Sequence, residues 1–408
     1  MHRAKPPVAI DERDRKDYFT PPSDLFEHYC DSIAKRYRLR DETLIQQAVV
    51  SSIDYDHVPQ LSPVDKFLTI TCTTGTVYAR SVVLAVGSGN TPSIPSPFPL
   101  SPNSYCSHAF LPHGDAHLLT RLKTKPHEAT NILVIGGGLT SAQISDRILR
   151  RSGASSGVKI WHLMRGPLKV KPFDVDLSWM GKFQNHEKAS FWSADTDEER
   201  CDLVNAARGG GSVTPRYAKI LQAHVASGRL MMCTNTVVSS ASLICEDEDE
   251  KIWNITTTPA IPGLPDFHFV YFATGVASDI STLPYLAPIH EKFPIPTFQG
   301  LPALNHDLMW NDDVPLFVTG RFAALRLGPG AGNLEGARLG AERVAWAVPG
   351  VLKRSGETLA GTGDGSARER VDSVAGSSDG EEKDDANDGY RYRVGIGSRF
   401  MALAAVEA

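Results

Sequence analysis

Apolar and polar positions follow two periods along the chain, and their succession predicts its elements. Over residues 24–37 the apolar residues Leu25, Phe26, Tyr29, Ile33 and Tyr37 recur at helical spacing, with Ser23 or Asp24 placed to cap the helix. Residues 43–53, 67–72 and 76–79 read as strands, the last two joined by a Thr-Thr-Gly turn as in a meander. Residues 81–86 form a short apolar strand that runs into Gly87-Ser88-Gly89-Asn90. Pro92, Pro95, Pro97, Pro99 and Pro102 then mark a link between domains. Residues 131–165 read as strand, glycine turn, helix, strand. Beyond them, 195–208 and 215–227 have helical spacing, and 230–234, 252–257, 267–272 and 316–319 read as strands. A helix is predicted over 333–348, with Leu334, Ala337, Leu339, Ala341, Val344 and Ala345 as its apolar positions. After Pro349, Gly, Ser, Asp and Glu dominate. Few groups there can offset the entropy of ordering, and the expectation is a disordered tail. Helices alternating with short apolar strands predict an α/β fold.

Composition changes this picture little. A chain of 408 residues can bury a sizeable core in two or three domains. With 41% hydrophobic and 22% charged residues it has the make-up of an ordinary soluble protein. The formal net charge is −5, but residues 355–389 carry ten acidic against three basic groups, which leaves the rest at +2. That balance argues against nucleic acid or an anionic membrane as partner. Charges from His2 to Asp17 and the absence of an apolar core argue against a secretory signal. No stretch approaches the ~20 apolar residues of a spanning helix. The six cysteines lie far apart with no CxxC pair, which fits a reducing, cytoplasmic setting and gives no reason to expect a metal site.

The strongest local signal is Asn131-Ile-Leu-Val-Ile-Gly-Gly-Gly-Leu-Thr-Ser-Ala-Gln-Ile144. An apolar strand meets a glycine turn: Gly136 permits the tight turn, and Gly138 lets a pyrophosphate approach the N–H groups of the following helix. Ser141 stands at the third fingerprint position, where a small residue lets helix and strand pack. A G-x-G-x-x-S alone is weak, but here a helix and a second strand, residues 158–163, complete a dinucleotide-binding unit. At the end of that strand an NAD site places an acidic residue for the ribose 2′-OH; this chain has Arg165, which suits the extra 2′-phosphate of NADPH. The alternative for Arg165 is a solvent-facing arginine at a strand end.

Val82-Val-Leu-Ala-Val-Gly87, Gly136-Gly-Gly-Leu-Thr-Ser141, Val270-Tyr-Phe-Ala-Thr-Gly275 and Leu316-Phe-Val-Thr-Gly-Arg321 occur in that order, the last followed by Gly328-Pro-Gly-Ala-Gly-Asn333. With these landmarks the chain resembles the two-dinucleotide-binding flavoproteins, specifically the flavin-containing and the lysine or ornithine N-hydroxylating monooxygenases. The resemblance covers about residues 18–348, beginning near Tyr18-Phe-Thr-Pro-Pro-Ser-Asp-Leu-Phe26. It implies a Rossmann-like NAD(P)-binding domain inserted in an FAD-binding-type domain, with Gly87 and Gly275 at strand ends near cofactor and Arg321 and Asn333 in contact with flavin. The implied division is 1–95 as a partial FAD-domain segment, 96–270 as the NADPH-binding domain, 271–350 as the return to the FAD-like domain, and 351–408 as the tail. One departure stands out. The family's own N-terminal FAD fingerprint is missing, since Gly75 is the only glycine in residues 1–80. The FAD-type domain is therefore read as incomplete, FAD binding stays open, and an oligomer or a partner could cover the sheet left exposed.

The resemblance implies FAD and NADPH as cofactors and oxygenation of a small-molecule substrate, with an amine suggested by the lysine and ornithine hydroxylating relatives. No catalytic acid or nucleophile is identifiable, since in such enzymes the cofactor carries the chemistry. Lys169 and Lys171 could meet a phosphate or carboxylate, Asp174 and Asp176 an amine, and Trp179, Phe183 and Trp192 the nicotinamide face. Arg216 could sit beside the nucleotide; ordinary salt bridges and core aromatics are the plainer reading of all of these. His108 and His162 read as structural. Two other functions stay open: a non-catalytic NADP-binding or scaffold protein of the same fold, and a flavin-independent NADPH reductase, which would need a positioned proton donor.

Overall fold

A computed structural model describes residues 22–41, 44–89, 91–99, 103–111, 115–125, 127–154, 156–180, 184–245 and 251–360, excepting the side chains of 354–360. In chain order the principal elements are α1 (Ser23–Arg36), β1 (Val50–His57), β2 (Lys66–Cys72), β3 (Gly75–Ala79), β4 (Val82–Leu84), β5 (Cys106–His108) and α2 (Ala116–Thr124). There follow β6 (Thr130–Ile135), α3 (Leu139–Arg151), β7 (Val158–Leu163), α4 (Gln184–Trp192), α5 (Asp197–Arg208), α6 (Pro215–Ala226), β8 (Leu230–Cys233), β9 (Val237–Cys245) and β10 (Lys251–Thr258). β11 (Phe269–Phe272), β12 (Leu316–Val318) and α7 (Leu334–Ala360) complete the set. The chain divides into two compact units, residues 88–278 with the N-terminal 41 residues, and residues 42–87 with those from 279 onward.

The first unit is built on a five-stranded sheet of order β5-β11-β6-β7-β8, parallel throughout. Its strands are short apolar runs because both faces are covered. Side chains alternate between the two faces. Ile132, Val134, Ile160, Phe269 and Tyr271 face one core with Ile144, Ile148 and Leu149 of α3 and Leu221 of α6. Leu133, Leu163, Val270 and Phe272 face another, where the antiparallel β9–β10 hairpin contributes Trp253 and Ile255, and Phe98 and Phe267 fill in. Trp253 fixes that cover to the sheet through its Nε1, which donates to the Tyr105 carbonyl at 2.9 Å. α5 starts with a capping box between Thr196 and Glu199 and ends at Gly209, in the left-handed conformation.

The second unit holds the antiparallel meander β1-β2-β3 and a separate parallel pair, β4 with β12. Lys292 reaches Asp54 and Asp56, two residues apart on one face of β1, at 2.8 Å each. Trp310, fully buried, donates from Nε1 to the Phe293 carbonyl at 2.7 Å.

Several boundaries differ from the sequence pattern. The first strand begins at Val50, later than the predicted 43, and Pro22 rather than Ser23 or Asp24 stands at the N-cap of α1, with no side-chain cap. The final helix does not stop at Pro349 but runs to Ala360, so the predicted tail start at 351 is too early. Pro349 removes one N–H, but its partner position, Ala345, is exposed and water can serve that carbonyl. The predicted tail beyond 360, like the Tyr18 to Pro21 portion of the first family-like segment, lies outside the described residues. β9, α2 and α4 were not legible in the pattern.

Candidate nucleotide-binding site

The glycine turn between β6 and α3 is shaped by backbone crossing. Gly136 has φ of +151°, and a Cβ there would lie 2.3 Å from the Ala273 carbonyl oxygen, so the turn passes directly over the end of β11. No side chain fits that approach. Ala273 N–H donates to the Ile135 carbonyl at 2.8 Å, locking the two strand ends together. Below the turn, His162 of β7 is fully buried and its Nε2 bonds the Gly136 carbonyl at 2.8 Å. Burial drives the His162 pKa down to about 4, so the ring is neutral and Nε2 is the donor. That bond gives the Gly136 carbonyl a partner within the sheet. Ser141, also fully buried, donates from Oγ to the Gly138 carbonyl at 2.7 Å and leaves room for α3 to pack.

α3 therefore starts at Leu139 with its first N–H groups unpaired within the helix, in the geometry that receives an anion. Above it is a cavity of about 640 Å³. Gly136, Gly138 and Gly275 line it, as do Arg165 from the end of β7 and Lys169 from the following loop. Gly210 and Gly211 line it as well. A Cβ on Gly211 would come within 3.1 Å of the Gly138 nitrogen, so these two backbones are in close contact with no room for a side chain between them. The 169–171 loop is held to this segment: Val213 N–H donates to the Lys169 carbonyl at 2.9 Å and Lys171 N–H to the Val213 carbonyl at 3.0 Å. Lys169 Nζ bonds the Gly209 carbonyl at 2.6 Å, which holds its charge beside the cavity. A glycine cradle at a helix start, at the carboxyl end of parallel strands and with two cations on its rim, fits a phosphorylated nicotinamide dinucleotide.

Other residues singled out in the sequence fall elsewhere. Ser141 packs under the turn and does not line the cavity. Lys171 pairs with Asp176 at 2.7 Å and Asp174 with Arg208 at 2.7 Å, so these charges hold the loop together. Trp179 is buried edge-on against Phe191, Trp192 meets the same ring edge-on from an exposed position, and neither lines the cavity. Arg216 is exposed on α6 and not among the lining residues. Phe183 lies outside the described residues. Gly210 and Gly211 were missed; their signal was the Gly209-Gly-Gly run, a stretch with no side chains that no local element requires.

In the second unit, Gly87 (φ +65°) follows β4 and Gly320 (φ +70°) follows β12, with about 4 Å between them where a Cβ would stand on Gly320. Arg321 lies next, its Cβ 3.7 Å from where a Cβ on Gly332 would be, so it packs against the 328–333 loop. Asn333 is half-buried at the start of α7, its carbonyl accepting from Ala337 N–H at 2.9 Å. Gly87, Arg321 and Asn333 thus share one unit, and Gly136, Gly138, Arg165 and Gly275 share the other.

Among the described residues no helix is long and apolar enough to cross a membrane, and no group of three His, Cys, Asp or Glu residues could hold a metal ion. All six cysteines are free. Residues 15–218 match the model of the family L-lysine 6-monooxygenase/L-ornithine 5-monooxygenase. None of the curated proteins matches the chain significantly. Among solved structures, ornithine hydroxylase from Pseudomonas aeruginosa is 17% identical, with a TM-score of 0.58 over 84% of this chain and 79% of its own. L-lysine 6-monooxygenase from Pseudomonas syringae is 17% identical, with a TM-score of 0.54 over 74% and 71%. The cadaverine monooxygenase of desferrioxamine biosynthesis from Erwinia amylovora is 14% identical, with a TM-score of 0.55 over 74% and 68%. At these identities the likeness is one of fold.

Proposed function

Because the chain belongs to the L-lysine 6-monooxygenase/L-ornithine 5-monooxygenase family, a family of flavin- and NADPH-dependent oxidoreductases, we propose that it binds NADPH and acts as a monooxygenase that hydroxylates the nitrogen of a small amine. The observation that carries this reading is the cavity at the start of α3, where a glycine cradle is joined by Arg165 and Lys169. Hydride donation is the chemistry the nucleotide supplies when bound. The chain's own groups do the holding. The free N–H groups at the start of α3 receive the pyrophosphate, Arg165 and Lys169 meet the 2′-phosphate, and His162 holds the Gly136 carbonyl at the turn. Residues 88–278 are then the NADPH-binding domain, and residues 42–87 with those from 279 onward are the FAD-like part. There Gly87, Arg321 and Asn333 are the residues assigned to flavin.

The residues present do not fit the whole of FAD. Among the described residues of the second unit there is no strand–glycine turn–helix of the kind that β6 and α3 make, so its adenosine diphosphate half has no cradle here. The same observation favours a second reading, a non-catalytic NADP-binding protein of this fold.

An absorption spectrum of the purified chain, taken with added FAD and again after NADPH, separates the two. A protein-bound flavin band that NADPH bleaches, with faster NADPH oxidation when ornithine, lysine or cadaverine is added, supports the monooxygenase. Folded protein that binds NADPH but retains no flavin refutes it for this chain and leaves the second reading.

A further inference from the structure

A second cavity, of about 400 Å³, opens at the other end of the same sheet. It is lined by Ser156 and Lys159 around the start of β7, by Arg229 one residue before β8, and by His224 and Ser227 at the end of α6. β7 is six residues long, so this cavity stands roughly 15–20 Å from the nucleotide cavity at the carboxyl end of the strands. Its size is within the range of small-ligand pockets.

Its charge is one-sided. No Asp or Glu lines it. β7 and β8 run parallel with Ile160 beside Leu230, and Ile160 N–H donates to the Arg229 carbonyl at 2.9 Å, so one residue back Arg229 stands beside Lys159. Neighbouring strands lie about 4.8 Å apart, and like charges side by side at that spacing repel. Among the described residues neither cation forms an ion pair. Arg229 spends Nη2 on two neutral hydroxyls, Ser152 Oγ at 2.8 Å and Ser156 Oγ at 3.1 Å, and its Nη1 bonds nothing among the described residues. Partial burial with no counter-charge lowers the Arg229 pKa. Asp146 is already shared between His224 Nε2 at 2.9 Å and Arg150 Nε at 2.8 Å.

Nor are these cations needed to close helix ends. At the end of α6 the Ala223, His224 and Val225 carbonyls accept from the N–H groups of Ser227, Arg229 and Gly228. At the end of α3 the Ile148 and Arg150 carbonyls accept from Ser152 and Gly153. Two adjacent cations thus face a cavity with nothing to neutralise them. A phosphate monoester, with about two negative charges at neutral pH, matches that pair, and a guanidinium suits its oxygens. Ser227 Oγ donates to the His224 carbonyl at 2.8 Å, which leaves the oxygen as an acceptor for a ligand hydroxyl. We propose that this cavity binds a small hydroxylated phosphate ester, a polyol phosphate, with its phosphate between Lys159 and Arg229 Nη1 and a hydroxyl donating to Ser227.

The test is a titration of the full chain with glycerol 3-phosphate, followed by the phosphorus NMR line of the ester. Two charge-assisted contacts should give a Kd on the order of 1 mM. Lys159→Gln and Arg229→Gln should each weaken binding about tenfold. A double variant, Arg165→Ala with Lys169→Ala, removes the cations of the nucleotide cavity and should leave it unchanged. No binding, or an affinity unaltered by Lys159→Gln, would overturn the proposal. Loss of binding in the double variant alone would also overturn it, since the anion would then sit at the start of α3. Inorganic phosphate binding as tightly as the ester would overturn the assignment to an ester. Lys159 is exposed, so Lys159→Gln decides even if Arg229→Gln unfolds the domain.

Discussion

Gly136→Ala tests the central geometrical claim, that the glycine turn exists because two backbones cross. Gly136 sits at φ +151°, and an added Cβ would lie 2.3 Å from the Ala273 oxygen and 2.8 Å from its carbonyl carbon. A positive φ costs an L-residue about 1–2 kcal/mol. Forcing a methyl group into filled space costs about 1–3 kcal/mol more, and here the obstacle is backbone, which cannot rotate aside. The sum is roughly 2–5 kcal/mol, which for a unit of this size corresponds to a fall in Tm of roughly 5–15 °C. Gly153→Ala is the control in the same unit. Its φ is +76°, but nothing lies within 4 Å of the new Cβ, so it carries the conformational cost alone, about 1–2 kcal/mol. Thermal melts followed by tryptophan fluorescence report this unit through Trp161 and Trp253, which pack at the far face of its sheet. NADPH binding should be lost in Gly136→Ala and kept in Gly153→Ala. If the two variants melt together, the crossing at Ala273 is not what demands glycine, and the reasoning fails.

Arg165→Ala should weaken NADPH about 10-fold, near the lower end for a charge-assisted bond because Arg165 is exposed, and leave NADH unchanged; competitive titration of the two nucleotides checks this. The His162 pKa, lowered to about 4 against about 6.5 when unfolded, makes the unfolded chain bind the extra proton first. Stability from this group is complete above about pH 6.5 and is lost as pH falls toward 4, by about 3 kcal/mol; urea titrations at several pH values should show the loss in the wild type and a shallower one in His162→Gln. Thr196→Ala removes the acceptor for Glu199 N–H and should lower stability by about 1 kcal/mol, read as a shift in urea midpoint at constant slope.

What the sequence decided by itself was local. The apolar strand, the glycines and the helix of residues 131–151 all obey short-range rules, as do the Thr196 capping box and the Gly209 stop, so the strand–turn–helix unit could be read directly. Arg165 stands two residues beyond the end of β7, which brings it to the rim of the cavity at the carboxyl end of the sheet. Tertiary structure alone decided which distant segment stands against each of these. Gly211 faces Gly138, Ala273 lies under Gly136, and His162 fixes the turn from below, each over a separation no period or propensity reports. The same limit left the loop charges open: the sequence offered Lys171, Asp174 and Asp176 as ligand contacts or, more plainly, as ordinary salt bridges, and the fold pairs Lys171 with Asp176 and Asp174 with Arg208. Pairing, crossing and burial depend on where the chain returns. The strand order of one sheet settled that for the cavity, and with it which glycines had no room for a side chain.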